Sequence, residues 1–267
     1  MASFSAQDVS ALRKTTGAGI LDCKKALESN GGDVEASQQW LREQGLASAG
    51  KRAERENTDG AVAVVLTGGE PAVGAAVELR CETDFVAKSP DFVALADKLA
   101  AAYAADGEAG TEPLAHAVDE LKITLKENIA VGRQERFVAA PGSVLGSYVH
   151  NQAGRGTIGV LVELAGGTAE VAHDVAVHIA FANPKYLSVD EIPADLVEAE
   201  RKTIETMAQN EGKPEAAMEK IVEGRLRAFY KDLALLEQPY VREDKKTVAQ
   251  YVGDATITRF ARVAIGG

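Results

Sequence analysis

Two stretches of this 267-residue chain read as the same supersecondary unit, and that repetition constrains the fold more than any other feature. In the first, residues 62–66, a turn at Thr67-Gly68-Gly69-Glu70 and residues 73–79 predict a β-hairpin. A helix follows from Pro90, with Phe92, Val93, Leu95, Ala96, Leu99 and Tyr103 at amphipathic spacing. In the second, residues 144–150, a glycine-rich turn and residues 158–164 predict another hairpin, with a helix over 172–181. The triplets Val77-Glu78-Leu79 and Val162-Glu163-Leu164 occupy corresponding places. A core of two related β–β–α units with antiparallel sheets places the chain in the α+β class.

The two units differ at the joint between strand and helix. After Leu164 come only Ala165-Gly166-Gly167-Thr168, whereas after Leu79 the chain reads Arg80-Cys81-Glu82-Thr83-Asp84-Phe85-Val86-Ala87-Lys88. If both units share one framework, it does not need Asp84 or Phe85, which are better candidates for function than for folding. An acidic residue beside a bulky aromatic stands where small turn residues are usual. Such a pair suits insertion into another molecule, where a buried aromatic anchor contributes on the order of 2 kcal/mol or more. The competing structural readings make Asp84 a helix cap and fold Phe85 back over the sheet.

Helices flank this core. Ser5 can cap a first helix carrying Val9, Leu12 and Arg13; Gly19-Ile20 opens a second, stopped by Asn30-Gly31-Gly32. Asp33 caps a third with Val34, Ser37, Trp40 and Leu41 on one face, ending at Gly45, with Trp40 as the expected anchor of a thin core. Residues 45–59 then read as a linker. A further helix is expected over 114–128. Beyond the second unit, a helix starting near Pro193 and running to about Asn210, the turn Gly212-Lys213-Pro214 and a helix through Ile221 and Leu226 predict an antiparallel helical hairpin, a short coiled coil about four turns long, on the order of 25 Å. Its expected stripes are Leu196, Thr203 and Met207 against Met218, Ile221 and Val222. A short helix over 248–252 and a strand over 256–265 close the chain. The expected divisions are 1–56 for the three-helix domain and linker, 57–141 and 142–187 for the two core halves, 188–238 for the inserted hairpin and 239–267 for the return to the second half.

Composition narrows the function. Lys and Arg number 29 against 40 Asp and Glu, a formal charge of -11 that repels phosphate backbones, so direct nucleic-acid binding is not expected. The segment Met1-Ala2-Ser3-Phe4-Ser5-Ala6 lacks the pattern of a secretory leader, and no apolar run reaches membrane-span length. With Cys23 and Cys81 read as free thiols, a cytoplasmic protein is expected. His116, His150, His173 and His178 make no metal-ligand spacing, and no phosphate loop or nucleophile elbow occurs, so neither metal nor cofactor is expected. Cys81 is the one candidate nucleophile, but it lacks an identifiable base, and free cysteines are usually buried and inert.

Two long segments are similar to one family. Residues 16–27, Thr-Gly-Ala-Gly-Ile-Leu-Asp-Cys-Lys-Lys-Ala-Leu, and 78–87, Glu-Leu-Arg-Cys-Glu-Thr-Asp-Phe-Val-Ala, resemble the two signatures of bacterial elongation factor Ts. Gly146-Ser147-Tyr148-Val149-His150, Gly212-Lys213-Pro214 with Ile221-Val222-Glu223-Gly224-Arg225, and Glu237-Gln238-Pro239 extend the resemblance over nearly the whole chain. It implies a guanine nucleotide exchange factor for elongation factor Tu, in its GDP-bound and nucleotide-free states, rather than an enzyme that makes or breaks bonds. It further implies that Thr83, Asp84, Phe85 and Val86 intrude beside the partner's nucleotide and disturb its magnesium, with Arg13, Ile20, Leu21, Lys24 and His150 as further partner contacts. The resemblance departs at Arg80, where the family commonly shows Asn, and the sequence ends at Ala264-Ile265-Gly266-Gly267 without the helical C-terminal module that some members append.

Two other classes make different predictions. A scaffold that self-associates through the helical hairpin tolerates replacement of Phe85 but loses assembly when Met207 or Ile221 becomes charged. A thiol-dependent enzyme is abolished by Cys81→Ser, a change that leaves nucleotide exchange almost untouched.

Overall fold

Strand alternation builds a layered core in the computed structural model, which describes residues 4–266. Met1 to Ser3, part of the segment read for a leader, and Gly267 lie outside the described residues. Strands β1 (Asp59–Thr67), β2 (Val73–Cys81) and β3 (Ala130–Val138) form one antiparallel sheet in that order. Strands β4 (Ser143–Gln152), β5 (Arg155–Ala165) and β8 (Thr256–Ala264) form the second. Ala61, Ala63, Val77, Leu79 and Cys81 point to helix α5 (Pro90–Asp106), while the intervening Val62 and Ala76 meet Leu161, Ala261 and Val263 of the other sheet. Val160, Val162 and Leu164 in turn face helix α8 (Ala169–Ala182). The result is four layers, helix–sheet–sheet–helix, with both central strands buried on both faces. Phe92, Leu95 and Leu99 of α5 are buried, each stabilising the core by roughly 1.5–3 kcal/mol.

Both β–β–α units form as the sequence indicates, and each sheet gains a third strand from farther along the chain. Strand β3 escapes the sequence reading because Arg133, Gln134, Glu135 and Arg136 fill the middle of a sheet-edge strand, leaving no apolar alternation to detect.

A buried glutamate occupies the same place in each central strand. Glu78 is 1% exposed and Glu163 3%. Glu78 Oε2 accepts from the Arg133 N–H at 2.9 Å and pairs with Arg80 Nη2 at 2.8 Å, so Arg80 is the charge partner of a buried carboxylate. At Gly132 a Cβ would fall 2.1 Å from that same oxygen, so the glycine makes room for the pair. Glu163 accepts from the Ala140 N–H at 2.6 Å and from Arg259 Nε at 2.6 Å. The register shifts at both glutamates. Burial pushes the Glu163 carboxyl pKa up, but the Ala140 N–H and the Arg259 guanidinium outweigh it and leave it below the ordinary value.

The N-terminal helices are α1 (Ala6–Thr16), α2 (Ile20–Ser29) and α3 (Val34–Gly50). Ser5 and Asp8 form a capping box on α1, and Asp33 caps α3 through the Ala36 N–H. Leu12, Cys23, Ala26 and Leu27 are fully buried, whereas Trp40 packs beside them only partly covered; the small aliphatic set anchors this core. Helix α3 runs past Gly45 to Gly50. A Cβ at Gly45 would lie 2.6 Å from Ile123 of helix α7 (Ala115–Leu125), so this glycine serves close helix approach rather than a stop. Between α5 and α7 lie a short helical turn, α6 (Glu108–Thr111), and a 3-10 turn over Glu112–Leu114.

The hairpin consists of α9 (Ala194–Asn210) and α10 (Glu215–Leu233). Its seam is Val197, Ile204 and Ala208 against Met218, Val222 and Leu226. The expected stripe was rotated by one position: Leu196 and Met207 stand 40% and 51% exposed and Thr203 is exposed. A narrow stripe leaves adjacent registers nearly equivalent until the second helix is present. A small ribbon, β6 (Pro239–Tyr240) with β7 (Glu243–Thr247), and helix α11 (Val248–Val252) lead into β8. Among the described residues no helix is long and apolar enough to cross a membrane.

Replacing Glu163 with Gln removes the charge that Arg259 faces and lowers stability at pH 7 by about 2 kcal/mol in urea titrations. Because the folded-state pKa lies below the ordinary 4.5, that contribution is full above 4.5 and fades as pH falls through the lower folded value. The gap between native chain and variant therefore narrows in titrations run below pH 4.5.

Candidate functional site

The joint between β2 and α5 folds as a single helical turn, α4 (Asp84–Ala87), rather than an irregular tip. Thr83 is its N-cap, accepting from the Val86 N–H at 3.4 Å, so neither the cap nor the bare loop falls to Asp84. Ser89 then adopts extended geometry before Pro90, which disfavours helix in the residue preceding it; α4 and α5 therefore stay separate. The second unit does without this turn. There Thr168 caps α8 directly through the Val171 N–H.

A polar clamp holds the base of the turn. Glu127 accepts from the Thr83 hydroxyl at 2.5 Å and from the backbone N–H groups of Glu82 and Thr83 at 2.9 and 3.1 Å. Glu82 reciprocates by accepting from the Asn128 N–H at 2.6 Å and pairs with Arg55 at 3.4 Å. The Asn128 side chain donates to the carbonyls of Ala53 and Arg55, tying the segment after α3 to the same point. From this base Ala87 is buried and Val86 packs against the α5 core, while Phe85 stands 83% exposed. Asp84 pairs with Lys88 one turn on, which holds its carboxyl below the usual range and keeps it anionic at neutral pH.

Cys81 sits beneath the turn, wholly buried, with its Sγ donating to the Thr83 carbonyl at 3.2 Å. Burial, then the nearby Glu127 and Asp59 carboxylates, push its thiol up to about 12. That is the reverse of what a nucleophile needs, so it packs.

The remaining candidate residues lie in two other patches. Arg13, Ile20 and Lys24 line a groove of about 410 Å³ between α1 and α2, and Leu21 beside it is 80% exposed. His150, on β4, packs edge-on to Phe181 of α8 at 5.5 Å, with Tyr148 beside them at 6.1 Å from Phe181. Phe181 is itself 57% exposed. The sequence reading missed Phe181, Glu127 and Asn128. Glu127 and Asn128 follow Lys126, a left-handed helix terminus, but nothing local says which loop they grip.

The sequence is similar to known proteins over its whole length. The sequence model described as Elongation factor TS matches residues 82–267, a span that starts at the clamp and includes the turn. Curated proteins called Elongation factor Ts match over the whole chain. Among them, the protein of Thermobifida fusca is 43% identical over 281 residues, covering 100% of this chain and 99% of its own. That of Mycobacterium marinum is 44% identical over 276 residues, with 100% and 99% covered. That of Arthrobacter sp. is 42% identical over 283, with both chains fully covered. The chain belongs to the elongation factor Ts family. It is accordingly a translation elongation factor. Within this family member, the groove on α1 and α2 falls outside the span of the sequence model but inside the full-length matches.

Replacing Glu127 with Ala removes three of the hydrogen bonds at the base of the turn. Amide exchange at Glu82 and Thr83 is expected to quicken about tenfold or more by NMR, with the α5 amides unchanged.

Proposed function

We propose that this chain is a guanine nucleotide exchange factor for elongation factor Tu, and that α4 is the element acting on the partner's nucleotide site. The observation that carries the reading is the contrast within one turn: Phe85 is almost wholly exposed while its base is clamped by Glu127 and Glu82. An apolar side chain held out on a rigid support loses little conformational freedom on docking. Phe85 then acts as the wedge, with Val86 and Ala87 seating the turn on the core. Thr83 holds the backbone, and Asp84, anionic and steadied by Lys88, competes for hydrogen bonds around the partner's magnesium and phosphates.

Magnesium requires near-ideal octahedral geometry, so small displacements of its ligands or waters weaken it sharply. With it goes the main charge partner of the diphosphate, and GDP leaves. Linkage makes the effect reciprocal: a factor that weakens nucleotide must be weakened by nucleotide, so incoming GTP releases it. No covalent bond changes in this process. The three-helix domain over 1–56, with Arg13, Ile20, Leu21 and Lys24, and the core halves over 57–141 and 142–187, with His150 in the second, supply the grip. The hairpin over 188–238 is an insertion before the chain returns to the core over 239–267, and the exposed Met207 and Leu196 offer it a route to self-association.

Release of labelled GDP from elongation factor Tu tests this directly. Phe85→Ala is expected to slow stimulated release about tenfold or more, Asp84→Ala to slow it less, and Cys81→Ser to leave it nearly unchanged. Full stimulation by both tip variants would remove α4 from the mechanism; no stimulation by the native chain would remove the exchange reading.

A further inference from the structure

The edge strands β3 and β8 approach each other and are laced by arginines: Arg133 Nη1 donates to the Arg262 carbonyl at 3.2 Å and Arg259 Nη2 to the Val138 carbonyl at 2.8 Å. Beside this seam, β8 and the segment after α8 enclose a cleft of about 420 Å³. Four cationic side chains line it, Arg133, Lys185, Arg259 and Arg262, against one carboxylate, Glu191, which already accepts from the Leu187 N–H at 2.8 Å. Two of the four have charge partners, Arg133 with Glu135 at 2.9 Å and Arg259 with Glu163 at 2.6 Å. The other two do not. Among the described residues neither Arg262 nor Lys185 has a carboxylate within ion-pair distance. Among the described residues the Arg262 side chain donates only from Nε, to the Ala180 carbonyl at 3.4 Å, and Lys185 Nζ reaches only the Asn183 side-chain oxygen at 3.3 Å.

A half-buried guanidinium without a counter-charge costs stability unless a ligand supplies the charge. Burial alone holds Arg262 below the ordinary arginine range. This concentration of cations stands out in a chain of net charge -11. Guanidinium and ammonium groups that line a concave site match the several oxygens of a phosphate group, and the volume falls in the range of small-molecule sites. A long polyanion would carry most of its charges beyond the cleft, against the negative field of the rest of the surface.

We propose that this cleft binds a compact phosphorylated small molecule, held through its phosphate oxygens by Arg262, Lys185 and Arg133. The site is separate from α4 and does not rest on the exchange reading. Isothermal titration of the full chain with sodium pyrophosphate, at ionic strength held constant with sodium chloride, tests it. Saturable binding at one site is expected, weakened about tenfold by Arg262→Gln and by Lys185→Ala, and unaltered by Lys245→Ala on β7, which does not line the cleft. Should Arg262→Gln fail to fold by circular dichroism, Lys185→Ala, at an exposed position, carries the test. No saturable heat at millimolar pyrophosphate, or affinity unchanged in the folded cleft variants, overturns the proposal. Tighter binding of a single-stranded oligonucleotide in the same cleft, at equal phosphate concentration and displacing pyrophosphate, overturns it in favour of a nucleic-acid surface.

Discussion

Burial of the two central strands on both faces is the constraint on which the rest of the molecule depends. β2 and β5 each lie between a partner sheet and a helix, so every residue from Gly74 to Leu79, and from Val160 to Leu164, is committed to packing. The chain leaving either strand must therefore climb from the sheet layer to the helix layer. In the second unit three residues suffice before α8 begins. In the first, the same climb is extended by one capped helical turn, and its surplus is what stands in solvent.

Such a layout explains why polar groups appear where the core would be expected to exclude them. Glu78 and Glu163 sit at register shifts of the central strands and accept from backbone N–H groups, that of Arg133 opposite the β2–β3 shift and that of Ala140 in the connection between β3 and β4. Each carboxylate serves such a group and an arginine together. The clamp at α4 repeats the device nearer the surface, with Glu127 serving two backbone N–H groups and the Thr83 hydroxyl. A stiff base beneath an exposed aromatic lowers the conformational cost of contact with a partner. The buried Cys81 beneath it contributes volume rather than chemistry, since its environment suppresses the thiolate.

Much of this was legible in the residues. The hairpins, the amphipathic helix after Pro90, the caps at Ser5 and Asp33 and the extra residues at 82–88 are local patterns of period, punctuation and length, and each appears where those patterns put it. The failures are equally local in origin. Gly45 reads as a stop because glycine often is one, but here it lets α3 approach Ile123. The hairpin stripe slipped by one position because a narrow apolar face does not define its own register.

By itself the sequence determined the two repeated units and the inserted segment that singles out Asp84 and Phe85. Periodicity and turn chemistry act over a few residues, and those features need nothing more. Only the tertiary structure decided that β3 and β8 complete the sheets, that Phe85 projects while Val86 and Ala87 pack, and that Glu127, 44 residues beyond Thr83, holds the turn. It likewise brought Arg133 and Arg262 to one cleft from strands 129 residues apart. Pairings over such separations leave no local periodic trace, because they arise only when the layers stack and polar edges must find partners.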